Sequence, residues 1–133
     1  MMYLNRHIES VLESVSKVFK VVLIVGARQV GKSTLLRKLF SEISSITFDP
    51  IEDVRSARRD PQLFLRDHKT PLILDEVQYV PELLAAIKRY VDDVETKPQF
   101  FLTGSQNLMV LKEVADSMAG RVCILPVVSD DTL

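Results

Sequence analysis

Several things are scarce in this sequence, and each scarcity excludes a class of protein. A single cysteine, Cys123, among 133 residues leaves nothing to pair with inside the chain. That excludes an internal disulfide framework and a cysteine-rich metal site. Set in V-C-I-L, the thiol is expected on a buried strand, and the default expectation is a reducing, cytoplasmic setting. No apolar run approaches the ~20 residues needed to span a bilayer. The first residues also lack the basic stretch, apolar core and small-residue site of a signal peptide, so no membrane partner is expected.

Neither sign of charge prevails. Seventeen basic and 18 acidic residues give a formal net charge of -1, so no overall field draws the chain toward nucleic acid or anionic lipid. Repeats and low-complexity segments are absent. The composition, 47% apolar and 26% charged, is that of a globular protein, and the length implies one domain with a three-layer core.

The stretch around which the chain is organised is 21–34, V-V-L-I-V-G-A-R-Q-V-G-K-S-T. An apolar run of strand length enters a loop with the spacing G-x-x-x-x-G-K-S, and a helical pattern of Leu35, Leu36, Leu39 and Phe40 follows. From composition alone that spacing arises at roughly 4 in 100,000 positions. Strand, loop and helix in this order form a phosphate-binding unit. Gly26 and Gly31 let the backbone approach a polyphosphate closely, and successive amide hydrogens point inward. The helix start adds its positive end. Ala27, Arg28, Gln29 and Val30 would line the loop, and Lys32 would reach β- and γ-phosphates. The Ser33 hydroxyl would ligate magnesium, with Thr34 beside it. Arg28 is free in this reading to meet nucleotide, a partner chain or solvent.

Apolar residues at helical spacing, from Leu4 to Val18, predict an amphipathic helix over residues 3–18 packed against the domain. Strands are expected at 20–25, 46–49, 72–76, 100–102 and 122–125. Helices are expected at 32–43, from Pro61 to about Asp67, from Pro81 through Val91, and from Leu108 to Gly120. Asp60-Pro61 has the form of a helix start, and Gly120 that of a helix end. Arg55, Arg58 and Arg59 alternate with acids and read as a solvated face. Strands alternating with helices imply a parallel sheet covered on both faces, in which ligands gather outside the carboxyl ends of the strands.

The segment 71–76, P-L-I-L-D-E, is the second strong signal. An acid at the end of a buried strand, facing the hydroxyl of a phosphate loop, can hold magnesium, and a second carboxylate can orient an attacking water. Asp75 takes the first role and Glu76 the second. The strand after Phe100 delivers Thr103, Ser105 and Asn107 to the same edge. Ser105 is the first choice for a group sensing the γ-phosphate and Asn107 the alternative, against a turn and a helix cap. Arg121 could neutralise phosphate charge in its own or a neighbouring site, or make a surface salt bridge.

Four segments together resemble the AAA+ ATPases: G-A-R-Q-V-G-K-S-T at 26–34, L-I-L-D-E-V-Q-Y-V-P-E-L-L at 72–84, F-L-T-G-S-Q-N at 101–107 and S-M-A-G-R-V at 117–122. More closely, they resemble the prokaryotic ATPases whose AAA domain precedes a separate carboxy-terminal domain. The resemblance implies an α/β three-layer P-loop NTPase fold with strand order 5-1-4-3-2. It also implies binding of ATP or ADP with Mg2+, and hydrolysis. Gly26 to Thr34 would be the Walker A motif, Asp75 and Glu76 the Walker B pair, Ser105 or Asn107 the sensor, and Arg121 an arginine finger. Residues 1–126 would be the ATPase core and 127–133 a short tail, without the family's helical lid and second domain. Turnover is accordingly expected to be weak. The competing expectation is a nucleotide-binding regulatory or protein-interaction module without turnover. A homo-oligomer, a client protein and DNA are left open as partners.

Overall fold

The computed structural model describes residues 6–26, 31–49, 54–93, 100–105, 116 and 120–127. The chain runs α1 (Arg6–Ser16), β1 (Val21–Val25), α2 (Lys32–Leu39), β2 (Ser44–Thr47), α3 (Val54–Arg59), α4 (Pro61–Arg66), β3 (Leu72–Asp75), a 3-10 turn (Val77–Tyr79), α5 (Glu82–Asp93), β4 (Phe100–Gly104) and β5 (Val122–Pro126). The five strands form one sheet in the order β2-β3-β4-β1-β5, and every pairing is parallel. Read from β5, this is the 5-1-4-3-2 order implied by the resemblance. The helix expected over 108–118 lies outside the described residues, except for a helical Asp116.

Side chains alternate across a strand, and here the alternation sorts the apolar residues into two cores. Val21, Leu23, Val25, Leu72, Leu74, Phe100 and Leu102 join Ala57, Phe64, Leu65, Leu83 and Ile87 from α3, α4 and α5 on one face. Val22, Ile24, Ile73 and Phe101 join Leu12 of α1 and Leu35 and Leu36 of α2 on the other. Both faces being covered, β1 is apolar at every position and at most 2% exposed. Each such side chain contributes about 1.5–3 kcal/mol by leaving water. The helix predicted at the amino terminus is present and packs on α2 and β1. No helix among the described residues is long and apolar enough to cross a membrane.

Helix α2 and strand β2 depart from their expected bounds. Helix α2 ends at Leu39 rather than near residue 43: Phe40 leaves helical geometry and its ring stacks on Phe101 at a centroid distance of 4.3 Å. Strand β2 begins two residues before the predicted span and ends at Thr47. As an edge strand it pairs only with β3, Ser44 opposite Leu72 and Thr47 opposite Asp75. Its S-S-I-T sequence is mostly exposed and so carries no apolar signature.

Helix α4 begins as read: Asp60 is its N-cap, Pro61 its first residue, and Asp60 Oδ1 accepts from the Leu63 amide at 3.1 Å. Asp60→Ala is expected to lower stability by about 1 kcal/mol, measured as a fall in the urea midpoint at unchanged slope.

Candidate functional site

Parallel register brings the carboxyl ends of four strands to one edge. Val25 lies opposite Gly104, Thr47 opposite Asp75, and β3 and β4 run in step from Leu72 and Phe100. Helix α2 starts at this edge, with Gly31 as its N-cap at φ 80°. A residue with a Cβ would pay roughly 1–2 kcal/mol in that left-handed conformation, so glycine is required by the turn into the helix.

Lys32 is only 2% exposed. A buried ammonium needs partners, and Nζ donates to the carbonyls of Gly26 at 2.7 Å and Gly104 at 2.8 Å. These contacts bridge the end of β1 to the end of β4 and set the cation at the carboxyl edge of the sheet. Ser33, one residue on, donates its hydroxyl toward Asp75, 2.7 Å from each carboxylate oxygen.

Asp75 is 3% exposed and is gripped from three other elements. Besides Ser33 of α2, it accepts from Thr47 Oγ1 of β2 at 3.1 Å and from Thr103 Oγ1 of β4. The exposed Arg37 guanidinium stands 3.7 Å away. A buried carboxylate is stable only when its oxygens are satisfied in this way.

Glu76, half-buried, follows at φ 63° and ψ 51°, the one positive φ at a non-glycine residue among those described. Such strain costs about 1–3 kcal/mol and gathers at functional sites. Three contacts hold it. The Glu76 amide donates to Thr103 Oγ1 at 2.9 Å, the Glu76 carbonyl accepts from the Tyr79 amide, and Gln78 Nε2 donates to Glu76 Oε1 at 2.8 Å. Thr103, fully buried, thus secures both acids through one hydroxyl. Sequence reasoning delivered Thr103 to this edge but gave it no role; only the β3–β4 register reveals that role.

The remaining candidates divide. Gly26 joins the site through its backbone, its amide donating to the Gly104 carbonyl at 3.2 Å. Thr34 is exposed on α2. Ser105 reaches the edge, and its amide donates to Gln78 Oε1 at 3.3 Å. Ala27, Arg28, Gln29, Val30 and Asn107 lie outside the described residues.

Arg121 is not brought to its own chain's loop. It precedes β5, whose Val122 lies opposite Val21, so it sits at the amino edge of the sheet, roughly 15 Å of strand from the loop. There its Nε pairs with Asp92 at 2.6 Å, the salt bridge that was the competing reading. Being half-exposed, that pair is worth up to about 1 kcal/mol. The cause is topological: in a parallel sheet, a residue before a strand and a loop after one occupy opposite edges. Cys123 lies on β5 as expected but is half-buried rather than buried, because β5 is an edge strand; the burial it has raises its thiol pKa, which lowers its reactivity.

A groove of about 360 Å³ lies elsewhere, between α4 and α5, lined by Gln62, Leu65, Arg66, Arg89 and Tyr90. Its arginines are exposed, whereas the buried polar side chains Lys32, Asp75 and Thr103 converge on the carboxyl edge, and that convergence marks the site.

A glycine-started helix carrying Lys-Ser at the end of a central parallel strand, faced by an acidic strand end, defines a P-loop NTPase core. Comparison with known proteins agrees: a family model described as an AAA domain matches residues 18–129, and the chain belongs to that family of P-loop ATPase domains. It is similar to the uncharacterized proteins Mb2031c of Mycobacterium bovis and Rv2008c of Mycobacterium tuberculosis, each 34% identical over 105 residues. Those matches cover 77% of this chain and 23% of each relative. Among solved structures, the Walker-type ATPase PABY2304 of Pyrococcus abyssi shares the fold at a TM-score of 0.58 and 21% identity. That likeness covers 98% of this chain and 55% of the archaeal one.

Proposed function

We propose that the chain binds ATP with magnesium at the carboxyl edge of the sheet and hydrolyses it to ADP and phosphate. The observation that carries this reading is the Ser33 hydroxyl 2.7 Å from both oxygens of a buried Asp75, with Glu76 next in the chain.

The donor set fits magnesium. A serine hydroxyl and a carboxylate are hard oxygen donors, and Mg2+ in nucleotide sites takes one or two such groups and fills the rest with waters and phosphate oxygens. It needs no protein cage, and among the described residues no group of three or more acids, histidines or cysteines is placed to hold a metal ion. Ser33 would hold the metal directly and Asp75 would hold it through water. Magnesium, when bound, would neutralise charge on the β- and γ-phosphates.

The loop amides from Gly26 to Thr34 would cradle the phosphate chain, and Lys32 would share its charge with the β- and γ-phosphate oxygens. Glu76 would orient the attacking water and take its proton as the water oxygen bonds to the γ-phosphorus. The bond from that phosphorus to the β,γ-bridging oxygen breaks, and its electron pair leaves with ADP. Ser105 or Asn107 would sense the γ-phosphate. Arg121 has no part within the same chain in this scheme.

The test is a calorimetric titration with ATP and ADP, each with magnesium and with EDTA, paired with a phosphate-release assay. Magnesium-dependent affinity and phosphate release are expected. Absence of magnesium-dependent affinity for both nucleotides would remove the site. Binding without release even at enzyme excess would favour the non-hydrolysing module.

A further inference from the structure

The turn after the acidic pair contains a side chain with no role so far. Glu76 reverses the chain in its left-handed conformation, and the single 3-10 turn Val77–Tyr79 folds Gln78 back toward the sheet edge. Its carboxamide comes to rest over the end of β4, with Oε1 3.6 Å from where a Cβ on Gly104 would stand. There Gln78 makes two contacts of opposite polarity: Nε2 donates to Glu76 Oε1 at 2.8 Å, and Oε1 accepts from the Ser105 amide at 3.3 Å.

Those partners dictate the residue type. An ionised carboxylate only accepts and a backbone amide hydrogen only donates, so the group between them must offer one donor and one acceptor in a fixed plane. A carboxamide does so. Its orientation is also decided chemically, because flipping it would set like against like at both ends.

We propose that Gln78 is a positioning residue for ATP hydrolysis, tying the Glu76 carboxylate to the backbone of the Ser105 segment so that base and sensing strand end move as one. The inference rests on the hydrolysis proposed above and adds a residue to it. Glu76 is joined to the same strand twice: at its amide through Thr103 Oγ1 and at its carboxylate through Gln78. The first link holds the backbone; the second aims the reacting oxygens. Without Gln78 the carboxylate keeps its place in the chain but loses its direction.

The test compares wild type, Gln78→Leu, Gln78→Glu, Glu76→Gln and the Gln78→Leu/Glu76→Gln double variant. Single-turnover phosphate release, magnesium-ATP affinity and thermal midpoint are measured for each. Gln78→Leu is expected to release phosphate at least about 10-fold more slowly, as befits a misaimed proton acceptor, with affinity and midpoint close to wild type. Gln78→Glu keeps the acceptor for Ser105 but sets a like charge against Glu76, so its rate should fall at least as far. In the Glu76→Gln background the leucine change should cost nothing further, because groups acting as a unit are not additive. A wild-type rate in either single Gln78 variant, or the same fold-loss with and without Glu76, would overturn the inference while leaving hydrolysis standing. No phosphate release by the wild type would overturn both.

Discussion

Exchanging Glu76 for glutamine is expected to leave magnesium-ATP affinity within a few-fold of wild type and to lower the hydrolytic rate by about 100-fold or more. The change is nearly isosteric, and the contacts that hold the residue are unaffected. Its amide still donates to Thr103 Oγ1, its carbonyl still accepts from Tyr79, and the side-chain oxygen that accepts from Gln78 remains. Only the ability to take a proton is removed. A 100-fold loss corresponds to about 2.7 kcal/mol of transition-state stabilisation. Phosphate release at saturating ATP, with affinity measured on the same sample, separates this outcome from a general loss of structure. A variant as fast as wild type would remove Glu76 from the chemistry.

Lys32→Ala is expected to fail earlier, at binding, with affinity for magnesium-ATP weaker by about 100-fold. Lys32 is almost fully buried, and removing one partner of a desolvated, hydrogen-bonded charge pair costs roughly 2–5 kcal/mol, or about 30- to several-thousand-fold. The change also removes the Lys32 donor from the Gly26 carbonyl and leaves the Gly104 carbonyl with only the Gly26 amide of the two donors described for it, so the thermal midpoint of the nucleotide-free protein should fall as well. Isothermal titration against ATP and ADP reads the affinity directly. The two variants therefore fail at different steps, glutamine at position 76 after binding and alanine at position 32 before it. Equal residual rates in wild type and both variants would mark a passive nucleotide-binding module.

Apolar runs made β1, β3 and β4 readable, because strands covered on both faces stay apolar up to their carboxyl ends, where Asp75 and Thr103 enter the site. Asp60 and Pro61 announced α4 through cap chemistry that acts within one turn. The edge strand β2 was displaced in the reading because its exposed residues need no apolar character. The end of α2 was misjudged because a ring stack with Phe101, 61 positions away in the chain, turns Phe40 out of the helix.

Residue order alone determined the phosphate loop, the acidic pair and the layered α/β architecture. Each is a local pattern: a glycine spacing, a strand-length apolar run, a carboxylate at its end. Only the tertiary structure decided that Thr103 and Gln78 secure the acids and that Arg121 lies at the far edge with Asp92. Hydrogen bonds between side chains on different strands depend on parallel register, and register arises from how the whole sheet packs between its helices rather than from any short stretch of the chain.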